Sequence, residues 1–394
     1  MDTQKAFPKG IIAANTLAFA AAFAAWILFG PSVRTLAEEL GLSAVQAGWI
    51  KTIPILTGSV MRIPIGVITD RFGARRTFSG LLMLGALAVF AMSFASSAAA
   101  FVVGGLVLGM VGTTFVVGVQ SVSSWSPPGR QGLALGIFGA GNVGTAFTTL
   151  AMPALLISLG WRPAFRLYAV LLVLTAAGYG ATVRDAPWVG GRKTLKGLLA
   201  PAASARVWTY GLYYTASFGV FIAACLTLGD LYIDSYGVSM ATAGWLVTGF
   251  TFTAGLSRIP GGALSDRFGA RRMLLVSLPL IGVSFLPAIF GLSVAVVLVS
   301  TVLGGILMGA AMSATLRAIP TDFPDSVGAV GGLVGAIGGL GGFYLPLFGD
   351  WTATATGTPA HQLVPLVFTA VFAAFVALAI PASSTAPAPA LEAR

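Results

Sequence analysis

Arg62 and Arg258 are the residues of this chain whose type and position most demand a chemical explanation. Each stands eight residues before an aspartate in matching surroundings, Arg62 ahead of Asp70 and Arg258 ahead of Asp266. At 1.5 Å per helical residue, that spacing places each guanidinium ~12 Å inside an apolar helix. A charge at such depth costs several kcal/mol unless it faces a cavity and finds a partner. The usual partner is an acid, yet all twelve acids fall elsewhere: Asp2, Asp70, Asp185, Asp266, Asp322, Asp325 and Glu392 on the cytoplasmic side, and Glu38, Glu39, Asp230, Asp234 and Asp350 at or beyond the outer ends of spans. The pair therefore leaves a central charge of about +2 for an anion to balance. The competing account is pairing with helix-end carbonyls, or snorkelling towards the interface. Arginine's planar fork matches planar oxyanions in a two-point way that lysine does not, so two forks suit a small, flat, singly charged anion.

The elements that must hold these arginines follow from composition. Of 394 residues, 57% are hydrophobic, 9% are charged and 51 are glycine, whereas soluble domains carry about a quarter charged residues. Twelve apolar stretches, each near the roughly 20 residues that cross a bilayer, lie at about 11–30, 45–69, 77–96, 100–122, 132–157, 164–183, 207–229, 241–264, 273–291, 294–316, 328–348 and 363–381. The first could be mistaken for a signal peptide, but it is long for one and pairs with the seventh in the repeat below. With the N-terminus cytoplasmic, 16 of the 22 basic residues fall inside, among them Lys5, Lys9, Arg71, Arg75, Arg76 and Arg130, as the positive-inside rule requires. The net charge of +10 is thus a topology signal; spread over short loops, it makes no nucleic-acid face. One cysteine, one histidine and no intramembrane carboxylate leave no nucleophile and base pair and no metal cluster, so neither an enzyme nor a cofactor is expected.

The chain reads as an internal duplication. Residues 47–76 match 243–272 at 16 of 30 positions at a fixed offset of 196, including Arg62-Ile63-Pro64 with Arg258-Ile259-Pro260. The expected fold is an all-α membrane protein of twelve transmembrane helices in two six-helix bundles, residues 1–183 and 207–394, joined by a cytoplasmic linker at 184–206. An even span count per copy puts both the same way up, related by a pseudo-two-fold axis along the membrane normal.

The loop from Gly66 through Asp70, Arg71, Gly73, Arg75 and Arg76 resembles the loop 2–3 motif of the major facilitator superfamily, and Asp266, Arg267 and Gly269 repeat it. The resemblance implies a gate-locking role, in which each aspartate accepts from helix N-terminal amides and pairs with the arginines while Gly73 and Gly269 permit the turn. A plain cytoplasmic turn is the blander account.

Two glycine stretches carry a finer resemblance. Gly139, Gly141 and Gly144 around Asn142 spell G-x-G-x-x-G, but no strand precedes them and no acid follows at the dinucleotide spacing. Gly332 to Pro346, which contains Gly335, Gly338, Gly339, Gly341 and Gly342, is the longer match. Alone, such glycines serve helix packing. Together the stretches are similar to the paired signatures of the nitrate/nitrite porter family. That resemblance implies that Arg62 and Arg258 grip the anion, with Asn142 and the aromatic residues Phe115, Tyr214 and Phe218 around it. Each aromatic taken singly is more often a helix-packing residue than a ligand contact. It further implies a monomer in the bacterial cytoplasmic (inner) membrane, crossing it many times with both termini cytoplasmic and having nitrate or nitrite and membrane lipid as its partners. The expected function is nitrate/nitrite exchange by alternating access; proton-coupled nitrate symport, or exchange of another small anion such as oxalate or formate, are the alternatives.

Overall fold

The computed structural model describes residues 8–127, 131–186, 195–323 and 326–379. Asp2, Lys5, Arg130, Asp325 and Glu392, expected on the cytoplasmic side, lie outside these. Everything described is helix or short connection. The first span is α1 (Lys9–Trp26) continued by α2 (Phe29–Leu40), and the second is α3 (Ala44–Val60) with α4 (Arg62–Phe72). Then come α5 (Ala74–Met92), α6 (Ala98–Gly109) with α7 (Thr114–Trp125), α8 (Gln131–Gly139) with α9 (Gly144–Leu159), and α10 (Trp161–Thr182). After the short α11 (Leu195–Leu199), the second copy runs α12 (Ala205–Tyr214) into α13 (Val220–Tyr236), then α14 (Met240–Leu256) with α15 (Arg258–Phe268), α16 (Ala270–Ile289), α17 (Val294–Asp322), α18 (Val327–Thr356) and α19 (Val364–Ala379).

Ten helices among the described residues are long and apolar enough to cross a membrane, and α3 with α4, bent by 49°, makes an eleventh. The remaining expected span, the eighth at 241–264, falls on α14 and α15. The structure corrects one expectation here: spans 2 and 8 are not continuous helices. Each breaks one residue before its arginine, at Met61 and at Ser257. The cause is local, since Pro64 and Pro260 lack an N–H and their rings crowd the carbonyl four residues back; those residues are Val60 and Leu256, where α3 and α14 end.

The repeat register survives in backbone detail. Gly41 and Gly237 end α2 and α13 in the left-handed conformation, with φ of 63° and 64°. Ser43 and Ser239 cap α3 and α14 by accepting from Gln46 N and Thr242 N. Gly73 and Gly269 turn the two motif loops at φ of 85° and 84°, where a side chain would be strained.

Burial separates the central spans from the peripheral ones. The apolar core of span Ala205–Tyr236 is 83% buried, against 39% for Trp161–Thr182. Leu87, Phe90, Leu174, Phe372 and Phe375 are exposed, as residues facing acyl chains are. Close approach of the central helices depends on glycine. A Cβ on Gly144 would collide with the Ala20 carbonyl of α1, whereas one on Gly178 meets nothing within 4 Å. Gly144→Ala should therefore cost about 1–3 kcal/mol through overpacking while Gly178→Ala is near neutral; thermal unfolding of the two variants in detergent checks the contrast, and equal midpoints would contradict it.

Candidate functional site

The two arginines meet at the centre, approached by the two halves in mirrored roles. Arg62 is 1% exposed and Arg258 2% exposed. Arg62 donates from Nε to Gly58 O at 3.2 Å within its own span, and from Nη1 to Gly335 O of α18 at 2.5 Å across the halves. Arg258 mirrors this against the first copy: a Cβ on Gly139 would stand 2.9 Å from its Nε. Gly139 and Gly335 are the same repeat position, so each arginine reaches a glycine at the same place in the opposite copy. A side chain there would push the guanidinium away.

The aromatic residues gather around the same two charges. Arg62 Cζ lies 5.2 Å from the Phe218 ring and 5.4 Å from Phe115, and Arg258 Cζ lies 5.9 Å from Phe115. Phe115 thus touches both guanidiniums, within the range of cation–π attraction. Tyr214 stacks on Phe218 at 5.1 Å and 22°, and its hydroxyl is 3.5 Å from Arg258 Nη2. Sequence reasoning missed Trp26, whose ring lies 5.9 Å from Arg62 Cζ and is fixed by donation to Pro54 O at 2.9 Å.

Irregular backbone supplies this geometry. Tyr214 and Phe218 flank and occupy a π-helical turn at Thr215–Gly219, Asn142 lies in a 3-10 turn at Ala140–Val143, and Phe115 follows another at Met110–Thr113. Such turns inside long helices recur at functional positions, and non-helical backbone at membrane depth is tolerated where protein surrounds it.

Away from the arginines, Tyr179 donates to Asn15 at 2.8 Å, Asn15 donates to Ser121 at 3.2 Å, and Tyr168 donates to Thr148 at 2.9 Å, while Trp161 Nε1, Tyr236 OH and Ser265 Oγ are buried without a partner. The remaining unpartnered groups include both arginines. Among the described residues Ser59 Oγ, Arg62 Nη2, Asn142 Oδ1 and Arg258 Nη1 are buried without a partner. Ser59 was not singled out from sequence; it lies one turn before Arg62, and its Oγ and the Arg62 guanidinium both face Gly339. Asn142 is buried; its amide donates weakly to Met312 Sδ at 3.9 Å, and its Oδ1 has no hydrogen-bond partner, so it accepts from neither arginine.

The glycines of α18 divide between two neighbours. Gly335 and Gly339 face Arg62 and Ser59, Gly338 and Gly341 face Tyr214 and Thr215, and Gly342 meets both sides, Ile222 first and then Ile55. In the first signature, Gly141 and Gly144 lie against α1 at Phe19 and Ala20.

Asp70 accepts from Gln120, and Asp266 pairs with Arg317. The helix amide beyond the first turn, Arg75 N, donates to Asp185 Oδ1 at 2.9 Å. A carboxylate from the end of span 6 can reach that amide directly. Arg71 and Arg267 lie over Phe72 and Phe268.

Comparison with known proteins agrees with this architecture. The model of the Major Facilitator Superfamily matches residues 16–239 and 210–394. The chain is 37% identical over 378 residues to a probable nitrate/nitrite antiporter of Thermus thermophilus, covering 88% of this chain and 85% of that one. It is 31% identical over 360 residues to the nitrite extrusion protein of Bacillus subtilis, covering 89% of each. Among solved structures, the human organic anion transporter MFSD10 aligns with a TM-score of 0.72 at 16% identity over 94% of this chain and 99% of that one, a likeness of fold alone. With a family model spanning both copies and relatives aligned almost end to end, the chain belongs to the major facilitator superfamily and, within it, to the nitrate/nitrite porter family.

Proposed function

We propose that this chain carries nitrate and nitrite across the membrane by alternating access, exchanging one for the other, with the anion held between Arg62 and Arg258. The observation that carries the reading is the pair of buried guanidiniums, each with one free Nη and neither paired with a carboxylate among the described residues. The aromatic faces of Phe115, Phe218 and Trp26 suit a flat ion, and the Ser59 hydroxyl, buried without a partner, offers a donor beside it. The names of the relatives, a nitrate/nitrite antiporter and a nitrite extrusion protein, support the same class of substrate.

Exchange follows from the charge. Bringing two guanidiniums together in low dielectric without a counterion is costly, so the empty site resists closing and either anion relieves it. The carrier then rocks only when loaded, residues 1–183 against 207–394, with 184–206 as the link between them and both termini cytoplasmic. A ligand drives such a change only through its preference for one state over the other; here that preference is charge neutralisation.

Flux of labelled nitrate into proteoliposomes preloaded with nitrite, nitrate or neither, at equal pH inside and out, tests this reading. Uptake is expected only with an anion inside. Uptake into empty vesicles that follows an imposed proton gradient overturns exchange.

Arg62→Lys keeps the charge and loses the fork. Nitrate affinity should fall by ~1.5–3 kcal/mol, the scale of a charge-assisted hydrogen bond, and Arg258→Lys should act alike. Titration calorimetry of the purified variants measures it; unchanged affinity would rule out a two-point grip.

A further inference from the structure

At the outer face the two halves are tied by ion pairs whose signs are divided between them. Arg34 Nη1 lies 2.8 Å from Asp234 Oδ1. Lys51 Nζ lies 3.6 Å from Asp350 Oδ2 and 3.9 Å from Asp230 Oδ2. Every cation in these bridges comes from the first copy and every carboxylate from the second. The duplication did not supply that division. Arg34 and Asp230 occupy the same repeat position, 196 residues apart, with opposite charge, and Lys51 corresponds to Val247.

Lys51 is the unusual member. Its side chain is only 7% exposed, and a lysine so far removed from water needs compensating carboxylates. It also lies on the stripe of the second span that leads to the arginine. Lys51, Ile55, Ser59 and Arg62 meet, in that order, Asp350, Gly342, Gly339 and Gly335 of the antiparallel α18. Lys51 to Arg62 is eleven residues, three turns, or about 16 Å along the helix.

Opening the outer face separates Lys51 from Asp230 and Asp350, because they belong to opposite halves. The lysine is then an unpaired cation at the mouth of the stripe, with the carboxylates withdrawn to the far wall. We infer that Lys51 is an outer landing site for the transported oxyanion, uncovered only while the outer face is open, from which the ion passes along the stripe to Arg62. Asp230 and Asp350 reclaim the lysine on closure, so the face cannot reseal around an anion still held there. This inference rests on the anion-exchange reading above.

The apparent KM for nitrate offered from the outer side of oriented proteoliposomes, preloaded with nitrite, tests it. A latch alone predicts that Lys51→Gln, like Asp350→Asn, raises the share of outward-open protein and lowers the outer KM. A landing site predicts the opposite sign for the lysine. Lys51→Gln should raise the outer KM on the order of tenfold at low ionic strength, with the effect shrinking as salt screens the charge, while Asp350→Asn lowers it and Lys51→Arg retains the wild-type value. If Lys51→Gln does not fold, Lys51→Gln in the Asp350→Asn background decides, since the latch is already loosened there and the lysine should still matter. A lowered or unchanged outer KM on loss of the lysine overturns the inference while leaving exchange intact. Absence of saturable nitrate exchange by the unmodified protein overturns the anion reading, and the landing site with it.

Discussion

Two positive charges held in a low-dielectric bundle, with no carboxylate among the described residues paired to either, set the terms for everything around them. Burying one unpaired guanidinium is expensive, and burying two in one place is worse. The surroundings ease the cost without removing it: carbonyls of Gly58 and Gly335, the hydroxyl of Tyr214, and the faces of Phe115, Phe218 and Trp26. None of these carries a full negative charge. Part of the charge therefore remains uncompensated.

The backbone bends around that requirement. Each arginine opens a new helix just after a break, and the partners opposite it come from a π turn and a pair of 3-10 turns. The glycines complete the arrangement, since only a residue without a Cβ lets α18 lie against Ser59, Arg62 and Tyr214 together. A small, stiff site is thereby built from long helices that are regular almost everywhere else.

Much of this was legible in the sequence. A charge inside an apolar span stands out, and the duplication put Arg62 and Arg258 in register before any coordinate was known. The aromatic residues Phe115, Tyr214 and Phe218 were found through family resemblance, because a lone aromatic in a helix says nothing of its neighbours. The helix breaks had a signal in Pro64 and Pro260, but a proline near a charged residue does not announce which turn it will open. Ser59 and Trp26 carried no signal: most membrane serines bond their own helix, and a tryptophan near a span end reads as an interface anchor. The capping of Arg75 N by Asp185 and the meeting of Lys51 with Asp350 are contacts between distant segments at positions unrelated by the repeat, so only the packed fold reveals them.

The reversal of charge between Arg34 and Asp230 has a consequence for how the molecule could be assembled. Two copies of the first half, paired about the same axis, would still offer Arg34 a carboxylate, since Glu38 is the counterpart of Asp234, but would set Arg34 and Ala154 beside each Lys51 in place of Asp230 and Asp350; two copies of the second would crowd six aspartates at one rim. Only unlike halves give every one of these cations a carboxylate. Expressed as separate polypeptides, the halves would recognise one another and reject themselves, so the single chain secures a pairing that the electrostatics of its outer edge already prefers.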